Sequence, residues 1–141
     1  MKMKEETRKL IEKEYSEFRD RQYGPLTKEE RKKLNAIYTP PEITCAMIDR
    51  LVGEDGFGDG TVLDPACGSG NLLVACILAG AKPENVYGNE ISPEMVELCR
   101  ERLAPYGVPY HNIHKGDGLD EYCLTVFGPE YEWPKKTNAL F

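Results

Sequence analysis

Hydrophobic residues in this chain are spaced in two ways, at helical intervals and in short continuous runs, and together these indicate an α/β fold. The runs that end at Leu63, Ile91 and Lys115 predict three parallel β-strands buried by flanking helices. The segments that begin at Asn71 and Ser92 have apolar positions at helical spacing. A helix is therefore expected to join each of these strands to the next.

Helices are also expected before the first strand. Residues 4–22 place Ile11 and Phe18 on one face of an otherwise charged helix. We expect this face to pack on the domain, and docking of a partner subunit on it is the alternative. A second helix begins at a capping box formed by Thr27 and Glu30, in which each side chain bonds the backbone N–H of the other residue.

A third helix is expected after Pro40 and Pro41, which force an extended chain at its start. Thr39 is the predicted N-cap of this helix, because a threonine hydroxyl can accept from the first helical turn. We expect an apolar stripe on the helix to face the core. The stripe comprises Ile43, Met47, Ile48 and Leu51.

The first strand leads into a glycine turn, Gly68-Ser69-Gly70, and then into a helix. Glycines there let the backbone bend sharply and approach a ligand closely. A strand, a glycine turn and a helix N-terminus form a cradle for a nucleotide-like ligand, although a turn that serves packing alone fits this short pattern equally well. Leu73 replaces the third glycine of the dinucleotide fingerprint, and the sequence has no P-loop.

An acidic residue lies at or just after the end of each of the three predicted strands. Asp64 ends the first strand, Glu90 ends the second 26 residues later, and Asp117 follows the third. In doubly wound folds, an acid at the end of the second strand hydrogen-bonds ribose hydroxyls. The alternatives are a solvated strand end for Glu90 and an ordinary Asp-Gly turn for Asp117.

These elements resemble the motifs of a known family, both in their residues and in their order along the chain. Asp64-Pro65-Ala66-Cys67-Gly68-Ser69-Gly70-Asn71-Leu72-Leu73 is similar to motif I of S-adenosylmethionine-dependent DNA amino-methyltransferases. It is closest to the γ-type N6-adenine enzymes and the modification subunits of type I restriction systems. Tyr38-Thr39-Pro40 resembles their motif X, Glu90-Ile91 their motif II, and Asp117-Gly118-Leu119 their motif III.

The resemblance implies a Rossmann-like methyltransferase fold, truncated to about three parallel strands with flanking helices and preceded by N-terminal helices. It implies S-adenosyl-L-methionine as cofactor, with the glycine turn around its methionine part and Glu90 on its ribose. Asp117 and Leu119 would contact the adenine, and Thr39 the carboxylate. The cofactor-binding residues expected on this basis are Tyr38, Thr39, Pro40, Asp64, Pro65, Ala66, Cys67, Gly68, Gly70, Asn71, Leu72, Glu90, Ile91, Asp117, Gly118 and Leu119.

The charge distribution affects the expected partner. The net charge is −6, but the first 34 residues contain eleven basic and eight acidic side chains, so the remainder carries −9. An acidic domain is a poor match for a phosphate backbone. We therefore expect DNA to be contacted mostly through another domain or subunit.

The family's catalytic string, Asn/Asp/Ser-Pro-Pro followed by an aromatic residue, does not occur in the printed sequence. Pro40-Pro41 is followed by Glu42 and precedes the cofactor turn, so it is no substitute. Two functions therefore remain open: the cofactor-binding part of an N6-adenine DNA methyltransferase, and a non-catalytic or regulatory module. Half of a nucleotide-binding dehydrogenase is a weaker third possibility.

The remaining expectations concern organisation and setting. We divide the chain into a charged helical segment (1–34), a cofactor-binding domain (35–120) and an aromatic tail (121–141). A sheet of three strands leaves an open edge, which the tail, a partner chain or a second copy could cover. We expect a cytoplasmic protein with reduced cysteines, no metal site and no membrane segment.

Overall fold

A four-stranded parallel sheet lies at the centre of the molecule, with helices packed against it. The computed structural model describes residues 1–24, 27–35, 39–118 and 137–139. Short 3-10 turns at Pro83–Asn85, Ala104–Tyr106 and Tyr110–Asn112 complete the described structure. In chain order, the helices and strands of these residues are α1 (Glu5–Tyr23), α2 (Lys28–Asn35), α3 (Pro41–Leu51), β1 (Thr61–Asp64), α4 (Asn71–Leu78), β2 (Val86–Glu90), α5 (Pro93–Leu103), β3 (Ile113–Lys115) and β4 (Thr137–Ala139).

The strand order is β3-β2-β1-β4, and all three pairings are parallel. This parallel sheet with connecting helices is the Rossmann-like architecture that the resemblance implied. The fourth strand was not predicted. It comes from the segment interpreted as the tail and pairs Val62 with Asn138, so this part of the tail lies along the edge of β1.

Helices α4 and α5 join consecutive strands and pack on them, α4 on β1 and β2 and α5 on β2 and β3. Gly88, in the middle of β2, makes this packing close. A Cβ atom there would lie 2.9 Å from both the Cys67 Sγ and the Leu73 Cδ1 atoms. The backbone of the sheet therefore approaches the glycine turn and α4 more closely than any other residue type would allow.

Helix α1 packs against α3 and α4, as the domain-packing interpretation of its apolar stripe predicted. Ile11 and Phe18 are buried. Asp49 of α3 adds polar contacts, since its carboxylate accepts from the Met3 backbone N–H at 2.6 Å and from the Arg8 guanidinium at 2.5 Å. The N-terminal helix is thus attached to the domain by both apolar and ionic contacts.

One predicted helix cap is confirmed and another is wrong. The Thr27 backbone N–H donates to Glu30 Oε2 at 2.8 Å and the Glu30 N–H to Thr27 Oγ1 at 3.3 Å, which is the capping box. The N-cap of α3, however, is Pro40 and not Thr39. The extended Pro40 delays the helix by one residue, so the Thr39 hydroxyl lies one position too early to cap it.

The apolar stripe predicted for α3 is wrong at its two ends. Ile43 is 52% exposed and Leu51 is 48% exposed, whereas Thr44, Cys45 and Ile48 are buried. The helix is rotated toward the face of Thr44, whose hydroxyl donates to the Pro40 carbonyl at 3.2 Å. With its hydroxyl satisfied, a threonine can be buried at little cost.

Some sequence-based expectations fall outside the described residues. No helix in the described part of the chain is both long enough and apolar enough to cross a membrane. Two predicted cofactor residues, Tyr38 and Leu119, lie outside it, and so do Cys123 and the tail aromatics Phe127, Tyr131, Trp133 and Phe141.

Candidate functional site

Three acidic residues lie at the same edge of the sheet. Asp64 is the last residue of β1, Glu90 is the last residue of β2, and Asp117 follows β3 by two residues. Because all strands are parallel, their carboxyl ends share this edge. The chain also reverses its direction of travel across the sheet at β1, between β2 and β4. Open α/β sheets bind ligands at such a switch point.

The turn after β1 depends on two glycines with positive φ, Gly68 at +55° and Gly70 at +94°. Gly70 is the N-cap of α4, and its N–H donates to the Cys67 carbonyl at 2.9 Å. A Cβ atom at this position would lie 3.0 Å from the Cys99 Sγ atom. The turn thereby directs the first N–H groups of α4, which have no acceptor within the helix, toward the open end of the sheet.

Asp64 is buried at the base of this turn. Its Oδ1 atom accepts from the Ala66 backbone N–H at 3.0 Å. Burial raises the pKa of the carboxyl from 3.8 to about 6; the Ala66 hydrogen bond opposes this shift, and the charge of Glu90 adds to it. The site therefore holds a negative charge at neutral pH, at some cost in stability.

Glu90 and Ile91 form the second part of the site. The Glu90 Oε2 atom accepts from the Ser92 backbone N–H at 2.6 Å, and Ser92 is the N-cap of α5. This bond fixes the orientation of the carboxylate. The adjacent Ile91 is 64% exposed, more than the exposed aliphatic residues Ile43 and Leu51 of α3. An acid and an apolar surface are thus presented side by side.

The loop after β3 packs backbone against backbone on the turn after β1. The Gly116 N–H donates to the Glu90 carbonyl at 3.0 Å. A Cβ atom on Gly118 would lie only 2.4 Å from the Pro65 carbonyl oxygen, so glycine is required there. The loop carries Asp117, whose side chain is exposed to solvent. The loops after the three strands therefore form one continuous rim.

Asn89, which was not among the predicted site residues, lies under this rim with no exposed surface. Its side-chain amide donates to the Pro65 carbonyl at 3.2 Å and to the Gly116 carbonyl at 2.9 Å. The backbone carbonyl of Asn89 accepts from the Cys67 N–H at 2.9 Å. A polar residue inside a predicted strand was the only signal in the sequence.

Arg102 was also missed. Its guanidinium donates to the Ser69 carbonyl at 3.3 Å and to the Asn71 side-chain oxygen. It also forms an ion pair with Glu14 and lies 3.8 Å from the centre of the Phe18 ring. An arginine three residues after Cys99, on the buried face of α5, was the available signal.

The other predicted residues occupy varied positions around the turn. Thr39 and Pro40 precede α3, which packs on α4. Leu72 is buried in the core, so its backbone N–H is the group it can offer a ligand. Cys67 is buried with its sulfur 3.9 Å from that of Cys99, and neither cysteine is in a disulfide. The hydrogen bond with Cys99 and burial raise the pKa of the Cys67 thiol, which makes it unreactive.

Metal ligands are not gathered at this edge. In the described ranges, no three His, Cys, Asp or Glu side chains come close enough to hold a metal ion. The groups that the described residues do present at this edge are carboxylates, backbone amides and the exposed aliphatic side chain of Ile91.

The sequence is similar to methyltransferase sequences. A family model described as N-6 DNA Methylase matches residues 21–131. The type II methyltransferase M.VspI of Vibrio sp. (strain 343) is 37% identical over 117 residues, 82% of this chain and 26% of that protein. A tRNA (guanine(10)-N2)-dimethyltransferase of Pyrococcus abyssi (strain GE5 / Orsay) is 33% identical over 103 residues, 72% of this chain and 28% of that protein. The chain spans about a quarter of the length of these relatives.

Two solved structures are similar over part of the chain. The methyltransferase subunit of a type I restriction-modification system from Streptococcus thermophilus has 27% identity and a TM-score of 0.48, over 70% of this chain and 20% of that one. An RNA methyltransferase from Salinibacter ruber, in complex with S-adenosyl-L-homocysteine, has 23% identity and a TM-score of 0.47, over 59% of this chain and 52% of that one.

Proposed function

Because the chain belongs to the N-6 DNA methylase family, we propose that the cleft at the carboxyl ends of β1, β2 and β3 binds S-adenosylmethionine. In this proposal the chain is the cofactor-binding part of a DNA (adenine-N6) methyltransferase of the restriction-modification type. The observation that carries the proposal is the meeting of Asp64, Glu90 and the Asp117 loop around the glycine turn that precedes α4.

The methionine end of the cofactor is assigned to the turn from Asp64 to Leu72. S-adenosylmethionine carries an ammonium group, a carboxylate and a sulfonium cation. The buried Asp64 carboxylate supplies negative charge for the cationic groups, in surroundings where the charge is poorly screened. The N–H groups of the first turn of α4, with Thr39 and Pro40 before α3, suit the carboxylate.

The nucleoside end is assigned to the loops after β2 and β3. The Ser92 N–H orients one oxygen of Glu90, and the second oxygen can accept from ribose hydroxyls. The exposed Ile91 offers an apolar surface for one face of the adenine. The exposed Asp117 carboxylate, on the loop after β3, would accept from the exocyclic amine, and Gly118 lets this loop pack against the Pro65 carbonyl.

The bound cofactor supplies an electrophilic methyl group for direct displacement by the target amine, so positioning accounts for most of the catalysis. The residues of this chain hold the cofactor. The printed sequence has no Asn-Pro-Pro-aromatic string to hold an extruded adenine, so that function is assigned to another part of the assembly. DNA contact is likewise assigned to another domain or subunit, because residues 35–141 are acidic.

A second candidate function is a non-catalytic module that binds S-adenosylmethionine for regulation. The missing catalytic string favours it. The two candidates differ in one assay. Transfer of a labelled methyl group to adenine in DNA by this chain alone would eliminate the non-catalytic module. Transfer that appears only when a partner carrying the missing string is added would support the split enzyme.

Isothermal titration calorimetry with S-adenosylmethionine and S-adenosylhomocysteine tests the binding proposal. We expect one ligand per folded chain and no binding of NAD. Glu90→Gln should weaken binding about tenfold, because a charged acceptor for the ribose is lost. The matched control is Glu97→Gln on the exposed surface of α5, which should leave the affinity unchanged. A folded chain that shows no binding at millimolar ligand, or that binds only NAD, would overturn the proposal.

A further inference from the structure

We infer that Asn89 is a positioning residue that holds the methionine-binding turn and the adenine-binding loop of the cleft in register. The inference rests on the proposed function for the identity of the ligand. Its structural basis is independent of that identity, because it depends only on contacts within the protein.

The side chain of Asn89 bridges two loops that are far apart in sequence. Its amide donates to the Pro65 carbonyl, 24 residues earlier, and to the Gly116 carbonyl, 27 residues later. These two carbonyls flank the residues assigned to the two ends of the cofactor, Ala66 and Asp117. One buried amide therefore bridges the loops that form the two halves of the cleft.

Backbone hydrogen bonds around Asn89 reinforce the bridge. The Cys67 N–H donates to the backbone carbonyl of Asn89 at 2.9 Å, and the Gly116 N–H donates to the backbone carbonyl of the next residue, Glu90, at 3.0 Å. The end of β2 is thus bonded to both loops by main chain and side chain. A shift of either loop would break at least two of these bonds.

The orientation of the Asn89 amide follows from its partners. Both groups it faces are carbonyl oxygens, so only the NH₂ end can lie between them. The opposite atom, Oδ1, is buried without a hydrogen-bond partner among the described residues.

The chain offers a matched control in Asn112. This residue is also buried, and its side-chain amide also donates to two backbone carbonyls, those of Glu84 at 3.2 Å and Val86 at 3.0 Å. These partners lie at the amino end of β2, at the opposite end of the strand from the cleft. Asn89→Ala and Asn112→Ala therefore remove the same chemistry from the two ends of one sheet.

The first arm of the test is hydrogen exchange on the ligand-free protein. Asn89→Ala should speed exchange at the Cys67 and Gly116 amides, and Asn112→Ala should not. Equal exchange at these two amides in both variants would overturn the inference. If Asn89→Ala does not fold, Asn89→Ser and Asn112→Ser serve, because serine keeps a hydroxyl but cannot span both carbonyls.

The second arm is calorimetry with S-adenosylhomocysteine, under conditions in which urea unfolding shows that both variants are folded. Asn89→Ala should weaken binding about tenfold, and Asn112→Ala less than about twofold. Equal losses in the two variants would show a structural role only and would overturn the inference. A wild-type protein that binds no S-adenosylhomocysteine contradicts the proposed function instead, and the exchange arm still decides whether Asn89 holds the loops.

Discussion

The guanidinium of Arg102 donates to both carboxylate oxygens of Glu14, at 3.0 Å from its Nε atom and 2.6 Å from its Nη2 atom. The two residues are 88 positions apart, on α5 and α1. The same guanidinium donates to the Ser69 carbonyl inside the glycine turn. The N-terminal helix is therefore connected through one buried ion pair to the turn assigned to the cofactor.

Removing either partner of this pair should destabilise the protein. The Arg102 side chain is almost completely buried, so Glu14→Met leaves an unpaired charge and should lower the free energy of unfolding by about 3 kcal/mol. Arg102→Met should cost a similar amount, and the double variant less than the sum, because both charges are then absent. Urea unfolding of the four proteins measures this.

Glu17→Met is the matched control for Glu14→Met. Glu17 lies on the same helix and pairs with Lys13 at 3.9 Å, but both side chains are exposed. Its replacement should change the free energy of unfolding by less than about 0.5 kcal/mol. Equal effects at positions 14 and 17 would contradict a buried, structural ion pair.

Gly70→Ala should both destabilise the protein and abolish cofactor binding. The residue has φ +94°, and an added Cβ would crowd the Cys99 sulfur at 3.0 Å. Gly107 has the same φ, but a Cβ there would make only an ordinary contact, 3.7 Å from Pro83. Gly107→Ala should therefore cost about 1 kcal/mol in backbone strain and leave binding intact. Urea unfolding measures the loss of stability in both variants. Calorimetry measures the loss of cofactor binding, which only Gly70→Ala should show.

Asp64 should make stability fall as the pH rises. Its pKa is raised from 3.8 to about 6, so the folded state holds this proton more tightly than the unfolded state. The resulting stabilisation is complete below about pH 4 and is lost as the pH rises through 6. The loss should amount to about 2–3 kcal/mol in the ligand-free protein.

Asp64→Asn provides the comparison, because its side-chain oxygen can still accept from the Ala66 N–H. The variant should match the wild type at pH 4 and exceed its stability at pH 8, while binding S-adenosylmethionine more weakly. Urea unfolding across this pH range measures the difference. A wild type and variant with parallel pH profiles would show that Asp64 titrates normally.

Ile91 should contribute to binding without contributing to stability. Its side chain is largely exposed, so Ile91→Ser should change the free energy of unfolding by less than about 0.5 kcal/mol. Loss of the apolar surface should weaken binding of S-adenosylhomocysteine about fivefold or more. The control is Leu10→Ser. Leu10 is also an exposed aliphatic residue but lies on α1, so this change should leave the affinity unchanged. Equal affinities for the Ile91 variant and the wild type would remove Ile91 from the site.

The sequence was most informative where structure is determined locally. The Thr27–Glu30 capping box, the glycine turn, the end of β1 and the start of α4 depend on neighbouring residues, so short patterns predicted them. The strand-end acids were predictable for a related reason, since parallel strands bring their carboxyl ends to one edge. The prediction from local sequence was wrong at Thr39, because the extended Pro40 is the N-cap of α3 one residue later.

Residues whose partners are distant in sequence were not predictable in this way. Arg102 and Asn89 are ordinary polar residues until the fold brings Glu14, Pro65 and Gly116 against them. The strand β4 also escaped prediction, because its three residues form no apolar run and its pairing with β1 is a long-range contact. The rotation of α3 likewise depends on packing against α1 and α4.

A crystal structure of the protein with S-adenosylhomocysteine tests the central claim most directly. The account predicts the ligand in the cleft at the ends of β1–β3, with its ribose on Glu90, its adenine beside Ile91 and its amino-acid end at the turn that contains Gly68 and Gly70. A fully loaded crystal with this cleft empty, or with the ligand bound at another surface, would contradict it.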